Sequence, residues 1–297
     1  MRFFNLDSSV SMNSNFIIAP NDPVWKSRFT ADELKEIRSK NPNPLPPCSD
    51  TLLNYLNIFT DLIISFINFK TVDELIKQTR KHHFDFDSEF DLDWAQQLMQ
   101  SALRLFKSHY IPLTDQSEAD IIRRIWYFVD TAFDDVSIDV RTREKESRAS
   151  SSRQNQGRIN KERKKHGHKT DFLFKFNQGE LDCAEVGKED AGDGGTKEMK
   201  ELGLKCPKMM KDQLWQLAKT IRQHRMDLVI VEFVMMGLKF RAITSDRPST
   251  YICRYRQTAP IFFPATEETI GSKLGELLVL VSQCYGVLQF VFIRYTE

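Results

Sequence analysis

Lys169-Thr-Asp171-Phe-Leu-Phe-Lys-Phe-Asn-Gln-Gly179-Glu180-Leu-Asp-Cys-Ala-Glu185-Val-Gly-Lys188 reads as a β-hairpin that carries acids along one face. Phe172, Phe174 and Phe176 alternate with Asp171, Leu173 and Lys175, the period of a strand with one buried face. Asn177-Gln178-Gly179 supplies the turn, because glycine tolerates the left-handed conformation that closes a three-residue loop. That loop pairs Phe176 with Glu180 and sets Asp171 directly across from Glu185. Opposed side chains of one face have Cβ atoms about 4.5–5.5 Å apart. Two carboxylates at that separation can share one hard cation, and a two-residue loop would slip the register and part them.

Lys188 falls on the wrong face of a regular strand relative to Glu185. A bulge at Gly187 would return it to the Glu185 side. With that bulge the stretch resembles the active-site hairpin of the PD-(D/E)XK, or restriction-endonuclease-like, nucleases, which place Asp on one strand and Glu-x-Lys on the next. Here the spacing is Glu185-Val-Gly-Lys188, one residue longer. The words Glu146-Ser-Arg-Ala-Ser150, Lys169-Thr-Asp171 and Leu204-Lys-Cys-Pro207-Lys208-Met-Met-Lys211-Asp212 are also similar to a group of uncharacterised fungal proteins with this core, over roughly residues 115–260. The resemblance implies a metal-dependent nuclease that hydrolyses DNA phosphodiester bonds. Asp171 and Glu185 would hold Mg²⁺ or Mn²⁺, the Val186 carbonyl would complete the site, and Lys188 would orient water or stabilise phosphate charge. A nuclease-fold module that binds nucleic acid or protein without cleaving is the alternative.

The helix expected from Ser117 to Phe133 places Glu118, Ile122, Ile125, Val129 and Phe133 on one face. In the resembled nucleases a Glu on the helix before the sheet supplements the metal site, which makes Glu118 the candidate. The plain reading leaves Glu118 in water, favouring the helix dipole. Residues 141–169 carry eleven Lys and Arg against three Glu. Arg158, Arg163, Lys164 and Lys165 are therefore candidate phosphate contacts, with a solvated loop or a nuclear-import signal as the alternatives. Pro207 can open a helix, and its Lys211 is the second candidate for the catalytic lysine. Gly-Gly-Thr-Lys197 inverts the Lys-Ser/Thr order of a P-loop, which excludes that mode of nucleotide binding. Asp85-Phe-Asp-Ser-Glu-Phe-Asp-Leu-Asp93 lacks the glycine and downstream Glu of a calcium loop, and Asp93 is read as a helix cap.

The expected fold is α/β: a restriction-endonuclease-like mixed sheet flanked by helices, with an N-terminal helical extension. Leu228–Val234, Phe240–Thr244 and Tyr251–Arg256 supply later strands, one early strand is assumed near 136–147, and a helix starts near Thr266. The expected division is a loose Pro/Asn/Ser-rich tail over 1–50, helices over 51–116 and the α/β core over 117–297. Five scattered cysteines without a Cys-x-x-Cys pair argue against a zinc site or disulfide framework and fit a reducing compartment. No apolar run is expected to reach membrane-spanning length and no signal core is seen, so an intracellular place is expected, with the nucleus as one option.

Overall fold

A computed structural model describes residues 16–66, 72–156, 158, 163–177, 179–190, 192, 195–221, 227–249 and 252–296. Its centre is an eight-stranded mixed sheet with strand order β1-β7-β6-β5-β4-β3-β2, and β8 pairs with β6. The strands are β1 Phe16–Ile18, β2 Asp139–Glu146, β3 Lys169–Phe176, β4 Gly179–Gly187, β5 Val229–Met236, β6 Lys239–Ser249, β7 Ile252–Gln257 and β8 Ile261–Phe262. β2, β3 and β4 form an antiparallel meander, β4 and β5 run parallel, and β5, β6 and β7 are again antiparallel.

The alternation in β3 decides what lies on each side. Phe172, Phe174 and Phe176 project towards α10 (Ile270–Thr296) and α6 (Tyr127–Thr131). Phe174 meets Phe133 just past α6 at 5.0 Å, and Phe176 meets Phe292 of α10 at 4.6 Å, both edge to face. Leu173 and Cys183 point the other way, against Met209 of α9 (Cys206–Thr220). Helices therefore cover both faces of the sheet, which fits a fully buried β5.

Several boundaries differ from the sequence reading. The expected loose tail contains α1 (Ala31–Ser39), closed by a Thr30/Glu33 capping box, and β1, which pairs in parallel with β7. Arg254, fully buried on β7, explains why this segment is held: its guanidinium donates to the carbonyls of Ile37, Lys40 and Asn41 and pairs with Asp246. The segment 51–116 is not a separate extension, since α2 (Asp50–Phe66) and α4 (Phe90–Lys107) pack on α10 and share the sheet's main core. α4 begins before Asp93, which lies inside its first turn. The Ser117–Phe133 helix is broken into α5 (Glu118–Arg124) and α6, with Ile125 and Trp126 fully buried at the break.

α10 corrects the membrane expectation. The stretch Glu267–Arg294 is long and apolar enough to cross a membrane, with mean hydropathy 1.8. Ile270, Leu274, Leu277, Leu278, Val281, Cys284 and Leu288 are all fully buried, and the helix packs on β4, β5 and β6, so it is a core helix.

Candidate functional site

The hairpin reaches the expected register by an unexpected route. Phe176 pairs with Gly179 and Lys175 with Glu180, so the loop is the short one that would slip the strands. A bulge follows at Leu181, and Phe174↔Asp182, Leu173↔Cys183 and Phe172↔Ala184 restore the original alignment. The shift from the turn and the shift from the bulge cancel. The last pair is Phe172↔Ala184, and just beyond it Asp171 Oδ2 accepts from Val186 N at 2.8 Å.

Gly187 does not form the bulge that Lys188 needed. The β4–β5 ladder runs unbroken from Cys183↔Glu232 to Gly187↔Met236, and Gly237 N donates to Gly187 O at 2.9 Å. The glycine instead leaves room for the flexible Met236 side chain, whose Sδ would lie 2.3 Å from a Cβ there. Lys188 consequently leaves the site and its Nζ pairs with Asp115 Oδ1 at 3.4 Å. Lys211 is also elsewhere, with its charge felt by neighbouring Asp212 and by Cys253 on β7, three strands from β4.

Two other lysines stand where these were expected. α8 (Thr196–Lys200) continues through a π-helical segment, Glu201–Lys205, into α9. Lys197, Glu201 and Lys205 are spaced by four residues, which lines them up along one helical side. Lys205 Nζ lies 2.6 Å from Glu185 Oε2 and 3.5 Å from Glu201 Oε2. Lys197 Nζ lies 2.8 Å from Glu118 Oε2 and donates to the carbonyl of Val186. The structure thus brings Glu118 near Asp171, sets Lys197 between Glu118 and the Val186 carbonyl, and sets Lys205 between Glu185 and Glu201.

Burial sets the electrostatics. It pushes the Glu185 carboxyl up to about 8, with Lys205 pulling in the opposite direction. Burial lowers the Lys205 ammonium, but Glu185 and Glu201 outweigh it and hold it above its ordinary value. Asp171 is raised, first by burial and then by Glu118, while the Val186 amide and Lys197 lower it. Glu232, paired with Cys183 across β4 and β5, is fully buried and raised by burial to about 8. Neither of its oxygens has a conventional hydrogen bond, and the thiols of Cys183 and Cys206 are its polar neighbours.

The donor set suits a hard cation. Glu185 Oε1 is buried with no hydrogen-bond partner among the described residues, and the next residue, Val186, gives its amide to the Asp171 carboxylate and its carbonyl to Lys197. As the side chains stand, no group of three or more His, Cys, Asp or Glu among the described residues has the geometry to hold a metal ion. Lys205 occupies the other oxygen of Glu185 and Lys197 the Val186 carbonyl, so a cation using those two atoms requires these ammonium groups to yield.

The basic segment is described only in part. Arg158, Arg163, Lys164 and Lys165 are exposed, in the connection between α7 (Arg148–Gln154) and β3. α7 is anchored by Glu180, which is fully buried and accepts from Ser147 Oγ at 2.7 Å and from the amides of Arg148 and Ala149. The chain matches no protein-family model, no curated protein and no solved structure.

Proposed function

We propose that the chain is a metal-dependent nuclease of the restriction-endonuclease-like type, acting on DNA phosphodiester bonds. The observation that carries this reading is the convergence of Asp171, Glu118 and Lys197 at the end of the hairpin that also carries Glu185 and its partner Lys205. The order helix, three-strand meander, helix, parallel strand supports it at the level of fold.

In this reading Asp171, Glu185 and the Val186 carbonyl hold Mg²⁺ or Mn²⁺, which when bound neutralises phosphate charge and lowers the pKa of water. Lys197, about half exposed, presents its ammonium to the phosphate and stabilises the charge that grows on the phosphoryl oxygens. Glu118 holds that ammonium in place. Lys205 is a positioning residue that fixes Glu185 from the buried side. The exposed arginines and lysines before β3 supply sequence-independent attraction to the backbone.

Lys197→Ala is expected to bind DNA nearly as well as the parent and to cleave it about 10²- to 10³-fold more slowly, since an interaction made chiefly in the transition state is lost. Cleavage at the parent rate would remove Lys197 from the mechanism. The binding-module reading is favoured by one observation, the Lys205–Glu185 pair that already neutralises the buried carboxylate. DNA binding without EDTA-sensitive cleavage on single-stranded, duplex or structured substrates would establish it.

A further inference from the structure

β4 and β5 run parallel and end together, at Gly187 and Met236. Ligands of α/β proteins bind in the crevice beyond the carboxyl ends of such strands. At this place lies a concavity of about 520 Å³, lined among others by Leu113, Thr114, Gln116, Lys188, Leu238 and Phe262. It is continuous with the candidate site through two elements. Lys188 follows the strand that carries Glu185 and Val186, and Ile121, also in the lining, is on the helix that begins at Glu118.

The lining has the chemistry of a nucleobase pocket. Phe262 is an aromatic ring left 39% exposed on the short strand β8, although its neighbour Phe263 is buried. Leu113 and Leu238 extend the apolar wall. Gln116 Oε1 accepts from Thr114 N at 2.6 Å, which fixes the amide, and its –NH₂ has no acceptor among the described residues. Asp190 anchors the opposite side through buried Lys239, whose Nζ is also held by Glu198 Oε2 at 2.7 Å. Lys188 at the rim can swing, because its partner Asp115 is almost wholly exposed. The charges of the lining nearly balance, which suits a neutral base with one phosphate at the rim better than a duplex backbone.

Resting on the reading that this site acts on DNA, we infer that the pocket takes an unpaired base of the substrate strand next to the scissile phosphate. Phe262 is its stacking surface and Lys188 its phosphate contact. The substrate class is then single-stranded DNA or a duplex with an unpaired end, because a base within a duplex cannot reach the ring.

The test is anisotropy with the full chain in EDTA, using a labelled single-stranded oligonucleotide and a blunt duplex of the same length. The single strand should bind at least about tenfold more tightly. Phe262→Ala should lose roughly 5- to 100-fold of that affinity and leave duplex binding unchanged, while Phe262→Trp retains it. Lys188→Ala, at an exposed position, should reduce the salt slope for the single strand by about 0.7. Equal affinity for the two DNAs, or a Phe262→Ala protein that is folded and binds the single strand like the parent, would overturn the inference. Cleavage is read separately with Mg²⁺. Phe262-dependent binding without cleavage supports the pocket and removes the nuclease reading. Asp171-dependent cleavage that ignores Phe262 removes the pocket and keeps the nuclease.

Discussion

Glu232 is a carboxyl group at the centre of the sheet with no conventional hydrogen bond, so the fold keeps it by keeping it neutral. Its folded-state value, raised to about 8, lies above the ordinary 4.5. Between those values the native state holds a proton that the unfolded chain has released, so stability falls as pH rises from about 4.5 towards 8 and levels above it. Glu232→Gln removes this dependence at constant shape. Urea unfolding at pH 5 and pH 8.5 should show the parent losing roughly 3–5 kcal/mol more than the mutant across that interval. Parallel losses in the two proteins would show that Glu232 is not the group responsible. Glu185 is raised by burial to the same value but pairs with Lys205, whereas the polar neighbours of Glu232 are the thiols of Cys183 and Cys206.

Among the elements, the segment before β3 carries its own prediction. If about six of its charges meet phosphates, log affinity for duplex DNA should fall with log salt at a slope near −5. Neutralising Arg158, Arg163, Lys164 and Lys165 together should flatten the slope by several units, and a parent-like slope in that mutant would leave a solvated loop or an import signal. The β3–β4 hairpin was legible because its alternation is local and because one face is nearly all Phe. The turn and the bulge were not, since each shifts the register by one residue and only their sum is visible in the pattern. Lys197 and Lys205 were hidden by Pro207, which reads as a helix start. Here the helix begins at Thr196 and passes the proline through a π-helical segment. The spacing of Lys197, Glu201 and Lys205 was the available signal, and a helix drawn eleven residues earlier would have used it. β1 left no such trace, because three residues gain strand character only from pairing with β7 far along the chain.

On the scale of the whole molecule, the sheet separates two tasks. The Phe-lined face and α10 supply cohesion, while the opposite face places acids and lysines where β3 begins and β4 ends. Phe174 is fully buried among Phe133, Phe172 and Phe233, so Phe174→Ala should cost about 3–5 kcal/mol in urea unfolding. Asp171→Asn, on the other face and half-buried, should leave the unfolding midpoint close to the parent's. That independence makes Asp171 the point at which the proposed activity can be tested without removing the fold. The most direct measurement is cleavage of single-stranded and duplex DNA by parent and Asp171→Asn proteins with Mg²⁺ or Mn²⁺, each repeated in EDTA. The account predicts cleavage by the parent that EDTA abolishes and none by Asp171→Asn; equal cleavage by the two proteins, or no cleavage by a parent that still binds DNA, would contradict it.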